Sequence, residues 1–126
     1  MLFRSFNFYT ERILVGSYNG CADYKGGAQL GLEASDRFFA IAPKDKINFL
    51  DYKVRGAVLM KLGKDSLAVL EWEKASELNK EVALELSLDI AKSYYKMKKY
   101  DLAIETYLRR QSMIALTATE LYNLGQ

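Results

Sequence analysis

Two consecutive stretches of this chain, residues 46–80 and 81–115, follow one plan with a spacing of 35 residues. Set side by side, Gly56 matches Ala91, Leu59 matches Tyr94, Ala68 matches Ala103, Val69 matches Ile104, and Trp72 matches Tyr107. Size is repeated as well as hydrophobicity: small residues recur opposite small ones, and large opposite large. Repetition on this scale constrains the fold more than any single motif. One short helix pair cannot bury its apolar face alone and must stack on a copy of itself.

Within each stretch the apolar residues recur at three- and four-residue intervals, the spacing of a helix with one buried face. The first predicted helix begins near Lys46 behind Asp45 as its cap, and carries Phe49, Leu50, Tyr52, Val54, Val58, Leu59 and Leu62. Gly63 ends it, and Asp65-Ser66 is placed to cap a second helix through Leu67, Val69, Leu70, Trp72, Ala75 and Leu78. A side-chain oxygen at a helix start accepts from free N–H groups, while glycine just past a helix end takes up the left-handed conformation. A third helix runs through Leu84, Leu88, Ile90 and Tyr94 to Met97. After the turn Lys98-Lys99-Tyr100-Asp101 a fourth carries Leu102, Ala103, Ile104, Tyr107 and Leu108.

This pattern resembles the tetratricopeptide repeat, a helix–turn–helix unit of roughly 34 residues with fixed large and small positions. Tyr52, Gly56 and Leu59 fall on the large, small and large positions of the first helix, and Ala68, Trp72 and Ala75 on the small, large and small ones of the second. Arg55 stands where the family usually has Leu and Lys80 where it usually has Pro; Ser87 and Arg110 are off-pattern in the next unit. The resemblance implies an all-α, right-handed superhelical solenoid of antiparallel helix pairs with about seven helices. Residues of about 7–43 form a divergent unit, 46–80 and 81–115 two regular ones, and 117–126 the first helix of a further unit. It places Trp72, Tyr94, Tyr100 and Tyr107 in the inter-helix core.

Upstream, Ala22-Asp23-Tyr24 is similar to the turn between paired helices, with Leu14 and Tyr18 on the preceding helix. From Tyr24 to Asp65 is 41 residues, about two helical turns more than the family's unit. The expectation is a lengthened second helix from near Gly27 to Ile41 or Ala42, stopped by Pro43. Downstream, Glu120-Leu121-Tyr122-Asn123-Leu124-Gly125 resembles the opening of another unit, and its apolar face is expected to lie uncovered, which points to a longer native chain or to self-association at that end.

Composition narrows the chemistry. Histidine is absent and Cys21 is the single cysteine, which removes the usual general base, the usual activator of a nucleophile, the commonest zinc ligand and any internal disulfide. A net charge of +2, with lysines scattered among glutamates, offers no basic stripe for nucleic acid. No apolar run approaches the roughly 20 residues of a membrane span, and the first residues lack the pattern of a secretory signal. Glu71, Glu73, Lys74 and Glu77 read as a solvated face, Cys21 as a small buried hydrophobe, and Gly26-Gly27 and Gly31 as sites of close packing or a helix start, since their spacing is not that of a phosphate loop. Neither catalysis nor a cofactor or metal is expected.

What the resemblance implies instead is recognition of a peptide or protein partner on the concave face built by the first helices of successive units. Carried over position by position, that face comprises Lys53, Ala57, Met60 and Lys61, then Leu88, Lys92, Tyr95 and Lys96, then Thr119 and Tyr122. The family's carboxylate clamp, which grips the tails of chaperones, is not carried over. Ala57 stands where its Asn belongs after Lys53, and Asp89 in the next unit would repel a carboxylate.

Overall fold

Asparagine side chains at Asn7, Asn48 and Asn79 accept from free amides at the starts of three helices, and Gly26 in the left-handed conformation precedes a fourth. A computed structural model describes residues 7–124 and the side chains of 7–116. These residues form six α-helices and no strand: α1 Phe8–Gly20, α2 Gly27–Ile41, α3 Phe49–Lys61, α4 Asp65–Leu78, α5 Lys80–Lys96 and α6 Tyr100–Leu124, with one short 3-10 turn at Lys44–Lys46.

The count differs from the seven helices expected, because α6 runs on through the position where a new unit was to begin. Nothing in Gln111-Ser112-Met113-Ile114-Ala115-Leu116-Thr117 breaks a helix: there is no glycine, no proline, and no cap that outcompetes the helical hydrogen bonds. The side chains of Thr119 and Tyr122 lie outside the described residues.

Helix boundaries follow local chemistry more closely than the repeat template. Helix α3 starts at Phe49 rather than near Lys46, and its cap is Asn48, not Asp45. The Asn48 side chain accepts from the Leu50 and Asp51 amides, while the Asp51 carboxylate accepts from the Asn48 amide at 2.9 Å. This reciprocal box satisfies two donor groups at once, which a lone Asp45 cannot do. Asp65 is the first residue inside α4 and makes no cap bond there; its negative charge sits instead at the favourable end of the helix dipole. Gly63 does take the left-handed conformation, at φ 74°.

Helix α2 occupies Gly27–Ile41, but at 15 residues it is only one longer than α4. The additional residues of the first unit lie instead in the connections. Pro43 lacks an amide proton and biases Ala42 away from helix, so 42–48 form a linker. Between α4 and α5, by contrast, the only connecting residue is Asn79.

Each helix packs against its successor, and α1 also touches α3. The pairs run antiparallel: Glu11 near the start of α1 meets Arg37 near the end of α2, and Asp65 at the start of α4 meets Lys96 at the end of α5. Two apolar cores result. One joins Val15, Leu32, Ala34, Val58, Leu59 and Ala68 across α1–α4; the other joins Val69, Trp72, Ala75, Val82, Leu86 and Ile90 across α4 and α5. Met60 packs against both.

The off-pattern Arg55 has a structural role. Its guanidinium donates to Ser35 Oγ at 2.8 Å, pairs with Asp36 and lies over the Phe39 ring, so it ties α3 to α2 by polar contacts where a leucine would do so by burial. Lys80 is the first residue of α5, the position at which a helix tolerates proline. Cys21 is exposed in the α1–α2 turn, not buried, because α1 ends one residue before it.

Candidate functional site

The α3–α4 and α5–α6 pairs differ in what covers them: Val69 and Trp72 of the first are buried, while their counterparts Ile104 and Tyr107 are exposed. Trp72 crosses α4 onto α3 directly above Gly56, and its indole Nε1 donates to the Lys53 carbonyl at 3.1 Å. Helix α5 then closes over the Trp72 face with Val82, Leu86 and Ile90. Three polar contacts frame this apolar seam: Lys53 with Glu85 at 2.6 Å, Asp65 with Lys96 at 3.2 Å, and the Tyr94 hydroxyl donating to Glu73 at 3.3 Å. Burial, reinforced by the neighbouring Glu73 carboxylate, holds the Tyr94 hydroxyl protonated above its ordinary range.

No helix among the described residues covers the next pair in the same way. Leu88, Ala91, Lys92 and Tyr95 of α5 and Ala103, Ile104, Tyr107 and Leu108 of α6 line a shallow, strongly apolar hollow. Tyr95 is 67 % exposed and Ile104 59 %. Tyr100 and Tyr107, expected in the core, are about half exposed for the same reason: no element among the described residues buries them. Tyr95 and Tyr100 pack edge to face at 5.5 Å, fixing one wall of the hollow.

The structure brings only part of the expected concave face into this hollow: Leu88, Lys92 and Tyr95. Lys53 is held by Glu85 on α5, and Lys61 donates to the Asn19 carbonyl at the end of α1. Both lysines thus bridge neighbouring first helices. Lys96 is paired with Asp65, Ala57 is half-buried on α3, and Met60 is engaged in both cores. Ile104, Tyr107 and Leu108 were missed as surface residues because the repeat template assigns their positions to the interior.

At the other end, α1 is fastened by charge. The Arg12 guanidinium donates Nε and Nη2 to Asp51 at 2.8 and 2.9 Å and reaches the Lys46 carbonyl at 2.7 Å. The hydrogen bond to Asp51 outweighs desolvation and raises the Arg12 pKa further above its usual value. Glu11 is fully buried and paired with Arg37 at 3.0 Å. Both charged residues of α1 are therefore engaged with α2 and α3.

Among the described residues no helix is long and apolar enough to cross a membrane, and no group of three or more His, Cys, Asp or Glu is placed to hold a metal ion. No protein-family model matches the chain, and no curated protein matches it as a relative.

Proposed function

We infer that this chain is a tetratricopeptide-like scaffold, a right-handed solenoid of helix pairs whose role is to hold a protein or peptide partner on a surface formed by successive first helices. The observation that carries the reading is the interlock of Gly56 beneath Trp72, whose sequence counterparts 35 residues on, Ala91 and Tyr107, are again small and large and line one hollow. A small residue under a large ring allows close approach of paired helices, and its recurrence at the same spacing is the mark of a stacked array. The contact of α1 with α3 and the Lys53–Glu85 bridge from α3 to α5 support a side-by-side row of first helices.

On that row Lys92 and Tyr95 are the exposed groups best placed for recognition. Tyrosine supplies a large contact area at low entropic cost, and Lys92 favours a partner with acidic character. The test is affinity capture of a partner followed by measurement of binding with Tyr95→Ala/Lys92→Ala and with Glu77→Ala, an exposed change on α4. A loss of at least about tenfold in affinity confined to the first variant, equivalent to roughly 1.4 kcal/mol, is expected. Equal binding by both variants would refute this choice of face.

A further inference from the structure

Ser87 departs from the repeat in a way that leaves space. Its sequence counterpart 35 residues earlier is Tyr52, and the counterpart of Arg109 is Lys74. On α3 the Tyr52 ring fills the seam between α2 and α4: its centroid lies 5.2 Å from that of Phe39, and Lys74 Nζ sits over it at 5.8 Å. At the counterpart position on α5 there is only a hydroxymethyl group. Beside it, between α4, α5 and α6, lies a cleft of about 250 Å³ whose walls include Glu73, Ser76, Ser87, Ile90, Thr106 and Arg109. An enclosed space of about 150 Å³ already takes a benzene ring. There is room here for one six-membered ring and a substituent.

The walls specify what that ring must carry. Ser87 is buried, and its hydroxyl donates to the Leu84 carbonyl at 2.7 Å; the Ser76 hydroxyl donates to the Trp72 carbonyl at 2.8 Å. Both protons are spent, so these two oxygens offer a ligand only lone pairs. The Glu73 carboxylate, which accepts from the Tyr94 hydroxyl at 3.3 Å, is likewise an acceptor alone. An occupant has to bring the donor. Arg109 stands at the sequence position from which, one repeat earlier, Lys74 covers Tyr52. A guanidinium stacks on an aromatic face more readily than an ammonium does. An aromatic ring with one hydroxyl meets both demands, and it is the group that the repeat has lost.

We propose that the α4–α5–α6 cleft binds a phenol-class aromatic, its ring against Arg109 and its hydroxyl donating to the acceptor wall of Glu73, Ser76 and Ser87. The proposal rests on the 35-residue equivalence that also supports the scaffold reading. It does not use the surface of Lys92 and Tyr95, which belongs to a different hollow.

Titration of 4-methylphenol, a tyrosine side chain without its backbone, into the full chain tests this by heteronuclear NMR. Amide shifts at Ser76, Ser87, Thr106 and Arg109 should saturate with a Kd on the order of 1 mM, within reach of a ligand of this size. Toluene keeps the ring and lacks the donor, and should bind at least about fivefold more weakly. Arg109→Gln, at an exposed position, should weaken 4-methylphenol at least about threefold with the urea midpoint unchanged. Ser87→Tyr puts the ring back covalently, so it should abolish saturable binding and hold or raise the midpoint. N-acetyl-tyrosinamide binding as tightly as 4-methylphenol would assign the cleft to a partner's tyrosine side chain, and binding of 4-methylphenol alone to a free phenol. No saturation below about 10 mM, equal binding of toluene, or shifts confined to Leu88, Tyr95 and Ile104 would each overturn the proposal. A lowered midpoint for Ser87→Tyr would do so too, since the ring would then lack its space. Partner capture is compared with Tyr95→Ala/Lys92→Ala, which leaves this cleft intact, so either reading can fail alone.

Discussion

Replacing Gly56 by alanine adds a single methyl group at a crowded point between α3 and α4. A Cβ built there lies 2.3 Å from Trp72 Cδ1, 2.4 Å from Nε1 and 3.0 Å from Cγ. The ring cannot swing clear without giving up its hydrogen bond to the Lys53 carbonyl and disturbing the α5 contacts behind it. Overpacking of this kind costs about 1–3 kcal/mol, and loss of the indole bond about 0.5–1.5 kcal/mol more. Against this, alanine favours a helix interior over glycine by about 1 kcal/mol. The net expectation is a destabilisation of about 2 kcal/mol, which at a urea m-value of about 2 kcal/mol/M lowers the unfolding midpoint by about 1 M. Trp72 is the only tryptophan, so its fluorescence reports the same site, with circular dichroism following the helices. Adding Trp72→Leu to Gly56→Ala removes the clash, so the double variant should be more stable than the sum of the single changes allows. A midpoint equal to or above that of the wild type for Gly56→Ala would refute the interlock.

Asp51→Asn keeps the shape of a buried side chain but removes the charge that receives both Arg12 donors and the Asn48 amide; a loss of about 1.5–3 kcal/mol in urea unfolding is expected. Tyr94→Phe should cost about 0.5–1.5 kcal/mol at neutral pH through the lost bond to Glu73. Because the folded phenol has a raised pKa, its stabilisation is complete below about pH 10, the unfolded value, and is lost as pH rises through the folded one. The deficit of Tyr94→Phe should therefore shrink in alkaline unfolding titrations, and a constant deficit would contradict the burial of this hydroxyl.

Those features of the sequence that have a strictly local cause were legible in advance. The span of α2, the left-handed Gly63 and the burial of Trp72 follow from breaker residues and helical spacing. Where two neighbouring residues compete, local reading fails. Asp45 and Asn48 are both able to cap a helix, and what decides between them is Asp51, which completes the box only with Asn48. The break expected before 117 came from the repeat template alone, with no residue to enforce it, and α6 continues. At the candidate site, Leu88, Lys92 and Tyr95 were named through the resemblance to the tetratricopeptide repeat, and they share one hollow. The capture of Lys53, Lys61 and Lys96 by Glu85, Asn19 and Asp65 was not, since each pairing spans more than 30 residues and depends on tertiary register.

Asn79 is one residue serving two helices. Its amide donates to the Ala75 carbonyl and ends α4, its carbonyl accepts from Ala83, and its side chain accepts from Val82 to begin α5. Fraying at the end of one helix therefore strips the cap from the next. The two cannot open independently, and amide protons on either side of Asn79 share one opening event. The linker of 42–48 imposes no such coupling between α2 and α3. Through Asn79 the opening of α4 is thus coupled to that of α5, across the boundary between the sequence stretches 46–80 and 81–115.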